Sequence, residues 1–525
     1  MKVQFILLLG ILATLSLAQD CNVSNKEKLD CGYLGVTEQQ CESKGCCWQP
    51  QGTLFDYIKQ YFYQFKNMIF GEQKIQNGDN TPWCFYDADV CNSFNLSSDD
   101  SGFTKEWYEG MYDKFMENIN VVDNGAVCAA PDTNTPGGSY YYHWMRDAAL
   151  SMRTYMELND YDYASIKHTM NKYVSWVSHV QHEYDPNGNS VLIEPKFVIP
   201  TRKPYTGGWC RPQTDGPGLR SATLIQYANV ILQEGQEVSD EIWEAIKTDL
   251  GWVNSNWQDN GCDLWEEVES TDFFWNRMAF YQSLTWGSEL ATTLGDENLA
   301  ETWAKTAANI KPTLLSHWNG SFIYESTNRE QDSSVIHALA NLNEDIFSIS
   351  GKETAATIST YSKSFCAEYP INKEDDSNGT PGILFGRYPG DVYAGGNPWQ
   401  LLSASLAEVF YKGAEASLAM EHEYVPEEHL VHWRNLMKLP AKVKPTHLAA
   451  AQKKAGNAVM YRIWVHVQDT DSFSLYEQID KNNGQQMSAK DLTWSFANVL
   501  RNLHFYVFND TYQAKFQKLE KNIEL

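Results

Sequence analysis

Ser239-Asp240-Glu241-Ile242-Trp243-Glu244-Ala245-Ile246-Lys247-Thr248-Asp249-Leu250-Gly251-Trp252-Val253 decides the character of the chain. Ile242, Ile246, Leu250 and Val253 recur at the spacing of one helix face, and Ser239 and Asp240 suit an N-cap and an acidic first turn. Comparable segments run over roughly 105–120, 146–158, 161–182, 218–234, 273–294, 297–311, 398–416, 427–438, 446–467 and 490–507. Strand alternation is scarce, so the reading is an all-α domain of about a dozen helices, spanning 104–525. Long Gly/Pro-rich stretches, 185–217 and 368–398, separate helices, and loops of that length inside a compact domain are usually functional. No fixed period recurs, which argues against a solenoid of identical units.

The chain before this region differs in kind. Lys2 precedes an apolar run from Phe5 to Leu17 that ends at Ala18, the pattern of a secretory signal covering 1–19. The run falls short of the ~20 residues a spanning helix needs, and no later segment qualifies. Six cysteines then crowd into 20–92 with the spacing Cys21, Cys31-Gly32, Cys41, Gly45-Cys46-Cys47-Trp48 and Pro82-Trp83-Cys84-Phe85. This stretch resembles a trefoil (P-type) domain, a small disulfide-rich module. The resemblance implies the pairs Cys21–Cys47, Cys31–Cys46 and Cys41–Cys84, which spacing alone does not choose. The interval between Trp48 and Trp83 is longer than in ordinary trefoils. Within it Leu54, Ile58, Tyr61, Phe65 and Ile69 share a helical face expected to dock onto the large domain.

Composition narrows the partners. Of 525 residues, 41 are Lys or Arg and 67 Asp or Glu, a formal charge of −26 that excludes a phosphate-binding surface of the nucleic-acid type. The 18 Trp and 29 Tyr, which pair a flat apolar face with a hydrogen-bonding tip, suit sugar rings as well as a large core. No glycine-rich phosphate loop or paired-histidine site is present, so neither a cofactor nor a metal is expected.

Five segments concentrate Trp, Arg, Asp and Glu beside helix ends. They are Tyr140-Tyr141-Tyr142-His143-Trp144-Met145-Arg146-Asp147, residues 205–217 around Trp209-Cys210-Arg211, Asp263-Leu264-Trp265-Glu266-Glu267, residues 386–399 from Arg387 through Asp391 to Trp399, and Tyr476-Glu477-Gln478 followed by Leu492-Thr493-Trp494. In this order they resemble glycoside hydrolase family fifteen, the glucoamylases, over nearly everything after the trefoil. The resemblance implies an (α/α)6 barrel, six outer helices around six inner ones, with a closed pocket formed by loops at one end.

It also implies roles. Hydrolysis of a glycosidic bond needs one carboxylic acid to protonate the leaving oxygen and a second carboxylate to act on water or as nucleophile. Glu266 matches the family's general acid, with Trp265 expected to strip water from it, and Glu477 matches the general base. Members invert the anomeric centre, which requires roughly 6.5–9.5 Å between the carboxyls and makes β-glucose the expected product. Arg146, Asp147, Arg387 and Asp391 would hold hydroxyls of the terminal glucose through charged hydrogen bonds. Trp144, Trp209, Trp399 and Trp494 would wall the pocket, and Tyr140 would lie near the developing charge. Arg211, Asp263 and Glu267 would position the substrate or the acid. As purely structural groups, Asp263 would be a cap, Trp399 and Trp494 core residues.

The expected activity is exo-hydrolysis of α-1,4-glucosidic bonds in starch, glycogen or maltooligosaccharides by a secreted or lysosomal monomer. The alternatives are another α-glucoside, such as an α-1,6-glucan or trehalose, and a non-catalytic glycan-binding protein. The trefoil is a further candidate for holding glycan. Two positions depart from the family pattern: Cys210, where Gly is common, and Gly390, where an acidic residue is common. Cys210 and Cys262 each sit in a predicted site segment and are a candidate disulfide. With Cys91, Cys128 and Cys366 they make five cysteines outside the trefoil set, so at least one has no partner within the chain. Sequons begin at Asn22, Asn95, Asn319, Asn378 and Asn509, in keeping with a secretory route.

Overall fold

In the computed structural model the described residues are 100–468 and 472–520, with 38, 47–49, 84–85, 91 and 94 ahead of them. The chain divides into two compact units, Met1–Val90 and Cys91–Leu525. In the first, β1 (Cys47–Trp48) pairs antiparallel with β2 (Cys84–Phe85), and Cys47 is disulfide-bonded. The segment 1–19, the three trefoil pairings, the helix expected over 54–70 and the sequons at Asn22 and Asn95 lie outside the described residues.

The second unit is helical. Its helices are α1 (Lys105–Glu117), α2 (Met145–Leu158), α3 (Tyr163–Gln181), α4 (Asp215–Gln233), α5 (Asp240–Asn256), α6 (Phe274–Thr293), α7 (Glu297–Leu315) and α8 (Ser334–Asn341). They continue as α9 (Lys352–Glu368), α10 (Pro370–Ser377), α11 (Gln400–Leu418), α12 (Glu427–Met437), α13 (Pro445–Val467), α14 (Thr493–Asn502) and α15 (Asp510–Glu520). Helices α2, α4, α6, α8, α11 and α14 close a ring in which each packs on the next and α14 returns to α2. Around them, α5 backs α4, α7 backs α6, α13 backs α11 and α1 backs α14. This is the (α/α)6 barrel.

Burial explains which helix goes where. Every residue of α2, α8 and α14 is buried, as a helix with neighbours on all sides requires. Helix α5 buries only the stripe Ile242, Ala245, Ile246, Asp249, Leu250 and Val253, and the Ser239 hydroxyl caps it by accepting from the Ile242 N–H. Helices α8, α9 and α10 fall where the sequence shows no stripe, and α10 occupies the start of the stretch taken as a loop. α8 is only eight residues long, too short for a stripe to stand out, and its polar residues Ser334, His337 and Asn341 are buried with the rest. α9 buries Thr354, Thr357, Thr360 and Ser364, residues of middling helix propensity. Thr357 satisfies its hydroxyl on the Glu353 carbonyl at 2.7 Å, and Ser364 reaches the Thr360 carbonyl.

The two ends of the ring are finished differently. At the N-terminal end the Trp275 indole donates to Asp215 at 2.9 Å, and its ring stacks on His337, which abuts Trp494. At the other end Arg501 pairs with Glu157 at 2.6 Å and Glu408 at 3.3 Å, while Arg153 donates to Gln282. Disulfides join Cys91 to Cys366 across 275 positions and Cys210 to Cys262 across 52; Cys128 is free and buried. Closing loops of these lengths restricts the unfolded chain by about 6 and about 4 kcal/mol on the chain-entropy model. No described helix is long and apolar enough to cross a membrane.

The Arg220–Asp249 pair ties α4 to α5 with no solvent access, through a 2.7 Å bond from Nε and a second from the terminal nitrogen. Removing one partner strands the other charge. Asp249→Ala is therefore expected to cost about 3–5 kcal/mol in urea denaturation, and Arg220→Met with Asp249→Leu to recover most of it. A loss under 1 kcal/mol for Asp249→Ala would contradict this account of the α4–α5 contact.

Candidate active site

The loops ahead of α2, α11 and α14 and the loop between α5 and α6 meet over the N-terminal end of the ring, around a pocket. Of the expected site residues, Glu266, Glu477, Tyr140, Trp144, Arg146, Asp147, Trp209, Arg387, Trp399 and Trp494 line it. Trp144, Arg146 and Asp147 arrive at the start of α2, Trp399 caps α11, and Trp494 opens α14. Backbone geometry at helix starts thus places half of the wall.

Glu266 sits at the tip of a hairpin made by β8 (Gly261–Cys262) and β9 (Glu269–Ser270). Its φ of 69° lies in the left-handed region, a conformation that a non-glycine residue keeps only when its surroundings impose it. Asp263 imposes it: its carboxylate accepts the N–H groups of Glu267 at 2.7 Å and Val268 at 3.0 Å. The Glu266 carboxyl accepts the Trp144 indole N–H at 2.8 Å and stands 3.9 Å from the Arg146 guanidinium.

Glu477 precedes a second hairpin, β10 (Gln478–Ile479) with β11 (Gln486–Met487), and is almost fully buried. One of its oxygens accepts the Tyr140 hydroxyl at 2.7 Å; the other accepts Ser488 Oγ and Gln478 Nε2. Burial pushes its carboxyl up to about 7, against the pull of the Ser488 and Tyr140 hydrogen bonds. Asp147, beside Arg146 at 3.1 Å, is raised to about 6, again by burial first. Among the described residues, the indole N–H groups of Trp209, Trp399 and Trp494 and the Arg146 Nε are buried without a hydrogen-bond partner. Buried donors are normally satisfied, so these four are ready for a hydroxylated ligand.

Arg211, Asp263, Glu267 and Asp391 do not line the pocket. Asp391 grips Arg387, at 2.8 Å from Nε, instead of facing a sugar. Arg211 holds Glu194 at 2.6 Å and the carbonyls of Tyr205 and Gly207, which shapes the loop carrying Trp209. Glu267 joins two walls, accepting from Arg387 at 2.8 Å, from Arg329 at 2.7 Å and from Tyr388. Trp265 lines the pocket beside Glu266, and its indole N–H donates to Asp332 at 2.9 Å. Among the described residues the one cluster of metal-ligand type, Cys210, Cys262 and Glu269, has its sulfurs joined as a disulfide.

Three residues absent from the sequence reading carry this frame. Arg329 binds Asp263 at 2.6 Å, Glu267 at 2.7 Å and Asp332 at 3.4 Å, with its guanidinium 3.8 Å from the Tyr388 ring centre. Beside it Asp332 is raised from its ordinary value and Glu325 well above its own, burial being the first cause in both. Ser326-Thr327-Asn328-Arg329-Glu330 carries no aromatic and reads as a plain polar loop.

Residues 111–504 match the glycosyl hydrolases family 15 pattern, and residues 21–87 match the trefoil (P-type) domain. Glucoamylase-1 of Schizophyllum commune is 33% identical over 401 residues, covering 72% of this chain and 68% of its own. Glucoamylase of Blastobotrys adeninivorans is 30% identical over 460 residues, 79% of this chain and 72% of its own. Among solved structures, the family 15 glucoamylase from Hypocrea jecorina aligns with a TM-score of 0.67 at 26% identity, covering 75% of this chain and 70% of that one. The Saccharomycopsis fibuligera glucoamylase aligns at 0.69, covering 81% and 98%, and at 24% identity speaks to the fold alone.

The raised carboxyl of Glu477 has a thermodynamic signature. Between about pH 4.5, where an unfolded Glu ionises, and about pH 7, the folded state keeps a proton that the unfolded state gives up. Its stabilising contribution is complete below this window and lost as pH rises through it. Glu477→Gln is expected to gain about 3 kcal/mol on the wild type from pH 4.5 to 7.5 in chemical denaturation. A difference independent of pH would remove the buried, proton-holding carboxyl.

Proposed function

The chain belongs to glycosyl hydrolase family 15, and from that membership and the pocket's geometry we infer that Glu266 and Glu477 divide the chemistry of glycosidic hydrolysis between them. The enzyme is a glycoside hydrolase of the glucoamylase type, acting on α-glucan and releasing β-glucose from non-reducing ends. What carries the division of labour is that the two carboxyls share one pocket but have opposite surroundings. Glu266 meets an indole donor and an arginine, whereas Glu477 is buried among hydroxyls.

In this reading the Glu266 proton passes to the glycosidic oxygen as the C1–O bond breaks. A water attacks C1 from the opposite side and gives its proton to Glu477. Solvent then returns a proton to Glu266 and removes one from Glu477. Arg146 favours the ionised Glu266 left after transfer, and Tyr140 and Ser488 favour the ionised Glu477 needed before attack. Arg146, Asp147 and Arg387, with the free indole N–H groups, would take the hydroxyls of the terminal glucose.

The working division of the chain would be a signal over 1–19, a trefoil over 20–92 and the catalytic barrel over 104–525. The two disulfides of the barrel favour an oxidising compartment and export through the secretory route. The trefoil would hold glycan and the enzyme would act as a monomer; retention on immobilised maltooligosaccharide and sedimentation velocity test these two points.

With maltotriose, proton NMR before mutarotation is expected to show β-glucose first; α-glucose first would refute inversion. Isomaltose and trehalose in the same assay separate the other α-glucosides. Glu477→Gln should lose at least a hundredfold in kcat while KM stays within a few-fold. Tyr140→Phe, which removes a donor from the ionised base, should move the acid limb of the kcat/KM profile to higher pH. An unmoved limb would detach Tyr140 from the base.

A further inference from the structure

Behind the pocket wall, four rings close a box. Tyr142, Trp144, Trp209 and Tyr205 follow one another around it, with centroid separations of 6.1 Å, 6.0 Å, 5.8 Å and 5.3 Å back to Tyr142. Lys196 enters from β6 (Lys196–Val198), where it pairs in register with Trp144. Its ammonium stands 3.9 Å from the Trp209 centroid, 4.2 Å from Trp144 and 4.4 Å from both Tyr142 and Tyr205. The side chain is buried and has no hydrogen-bond acceptor among the described residues.

An ammonium that gives up most of its water without gaining an acceptor is costly, and here the faces of four rings are what it meets. A cation on an aromatic face is attracted by the ring quadrupole, so a lysine shared by four rings favours one arrangement of all of them. Two of the four, Trp144 and Trp209, are pocket wall, and Trp144 also makes the 2.8 Å bond to Glu266. Lys196 itself does not line the pocket. Burial holds its ammonium down to about 8, while Glu266 and Glu194 favour the charged form and Arg211 opposes it.

We propose that Lys196 is a positioning residue for the proton donor: by pinning the aromatic box it fixes the Trp144 indole, and through that indole the Glu266 carboxyl, without touching substrate. The proposal rests on the reading of Glu266 as the general acid. It separates Lys196 from Arg146 and Arg387, which face the sugar side. It also gives Tyr142 and Tyr205 a role, as the back of the box.

The test compares two substrates of the purified enzyme, maltotriose and α-glucosyl fluoride, since fluoride leaves with little help from a proton. Lys196→Met is expected to lose at least tenfold more kcat/KM on maltotriose than on the fluoride, chiefly in kcat. Lys196→Arg should recover part of that gap. In a Trp144→Phe background the Lys196→Met effect should largely vanish, because the indole through which it acts is gone. Equal losses on the two substrates, a loss confined to KM, or full additivity with Trp144→Phe would overturn the proposal. If Lys196→Met does not fold, Lys196→Gln is measured against the same three criteria. Glu266→Gln is the control for the premise: if it fails to discriminate the two substrates, the assignment of the acid falls, whatever Lys196 does.

Discussion

A ring of helices buried on every side must satisfy its polar groups from within, and that requirement shapes this enzyme more than any single contact. Arg501, Glu157, Glu408 and Arg153 do so at one end, where mutual neutralisation leaves them inert. At the other end the same requirement is met by aromatic N–H groups and carboxyls, Trp275 with Asp215 and Trp265 with Asp332. There loops also add groups that the frame leaves unsatisfied on the pocket lining, the Trp209 and Trp399 indole N–H groups among them. The barrel therefore has a sealed end and a chemical end, a consequence of how its charges are paired.

The chemical end is held by two carboxylates that never enter the pocket. Asp263 fixes the turn that puts Glu266 at positive φ, and Glu267 bridges Arg329 and Arg387 so that the acid's hairpin is tied to the opposite wall. The strain at Glu266 is offset by this frame, since a residue held by Asp263 on one side and Trp144 on the other has no relaxed alternative nearby. Ser488, at φ 67°, repeats the device beside Glu477. Each carboxyl thus sits beside a backbone position that the frame holds in place.

What the sequence made legible follows from the physics of the two kinds of residue. Outer helices show a stripe, as Ile242 to Val253 does, because one side faces water. Helix α8 is too short to show one, and in α9 burial on most sides erases the contrast that periodicity detects. Most polar and aromatic residues that touch the pocket fell in segments dense in Trp, Arg and Glu and were found, whereas Ala129, Gly137 and Tyr393 line it without having been singled out. Asp391, Glu267, Asp263 and Arg211 fell in the same segments but stand behind the lining, a distinction that needs coordinates. Arg329 and Asp332 come from an unremarkable polar loop, and Lys196 is an ordinary residue in Glu194-Pro195-Lys196-Phe197. Their importance lies wholly in what the fold brings to them.

The same logic explains why Cys210, a departure from the common glycine, is compatible with an intact site. The loop carrying Trp209 and the hairpin carrying Glu266 are joined by the Cys262 N–H to the Pro212 carbonyl at 2.7 Å and by the Cys210–Cys262 disulfide. A flexible glycine at position 210 would leave Trp209 to be ordered by packing and the Arg211 bonds alone. The cross-link instead makes the wall and the acid move as one piece, so that the aromatic box, Trp144 and Glu266 are tied covalently on one side and by charge on the other. Cys91–Cys366 is of another kind, closing the chain over a span of 275 positions. One bridge restrains the unfolded chain as a whole, and the other restrains the geometry on which proton transfer depends.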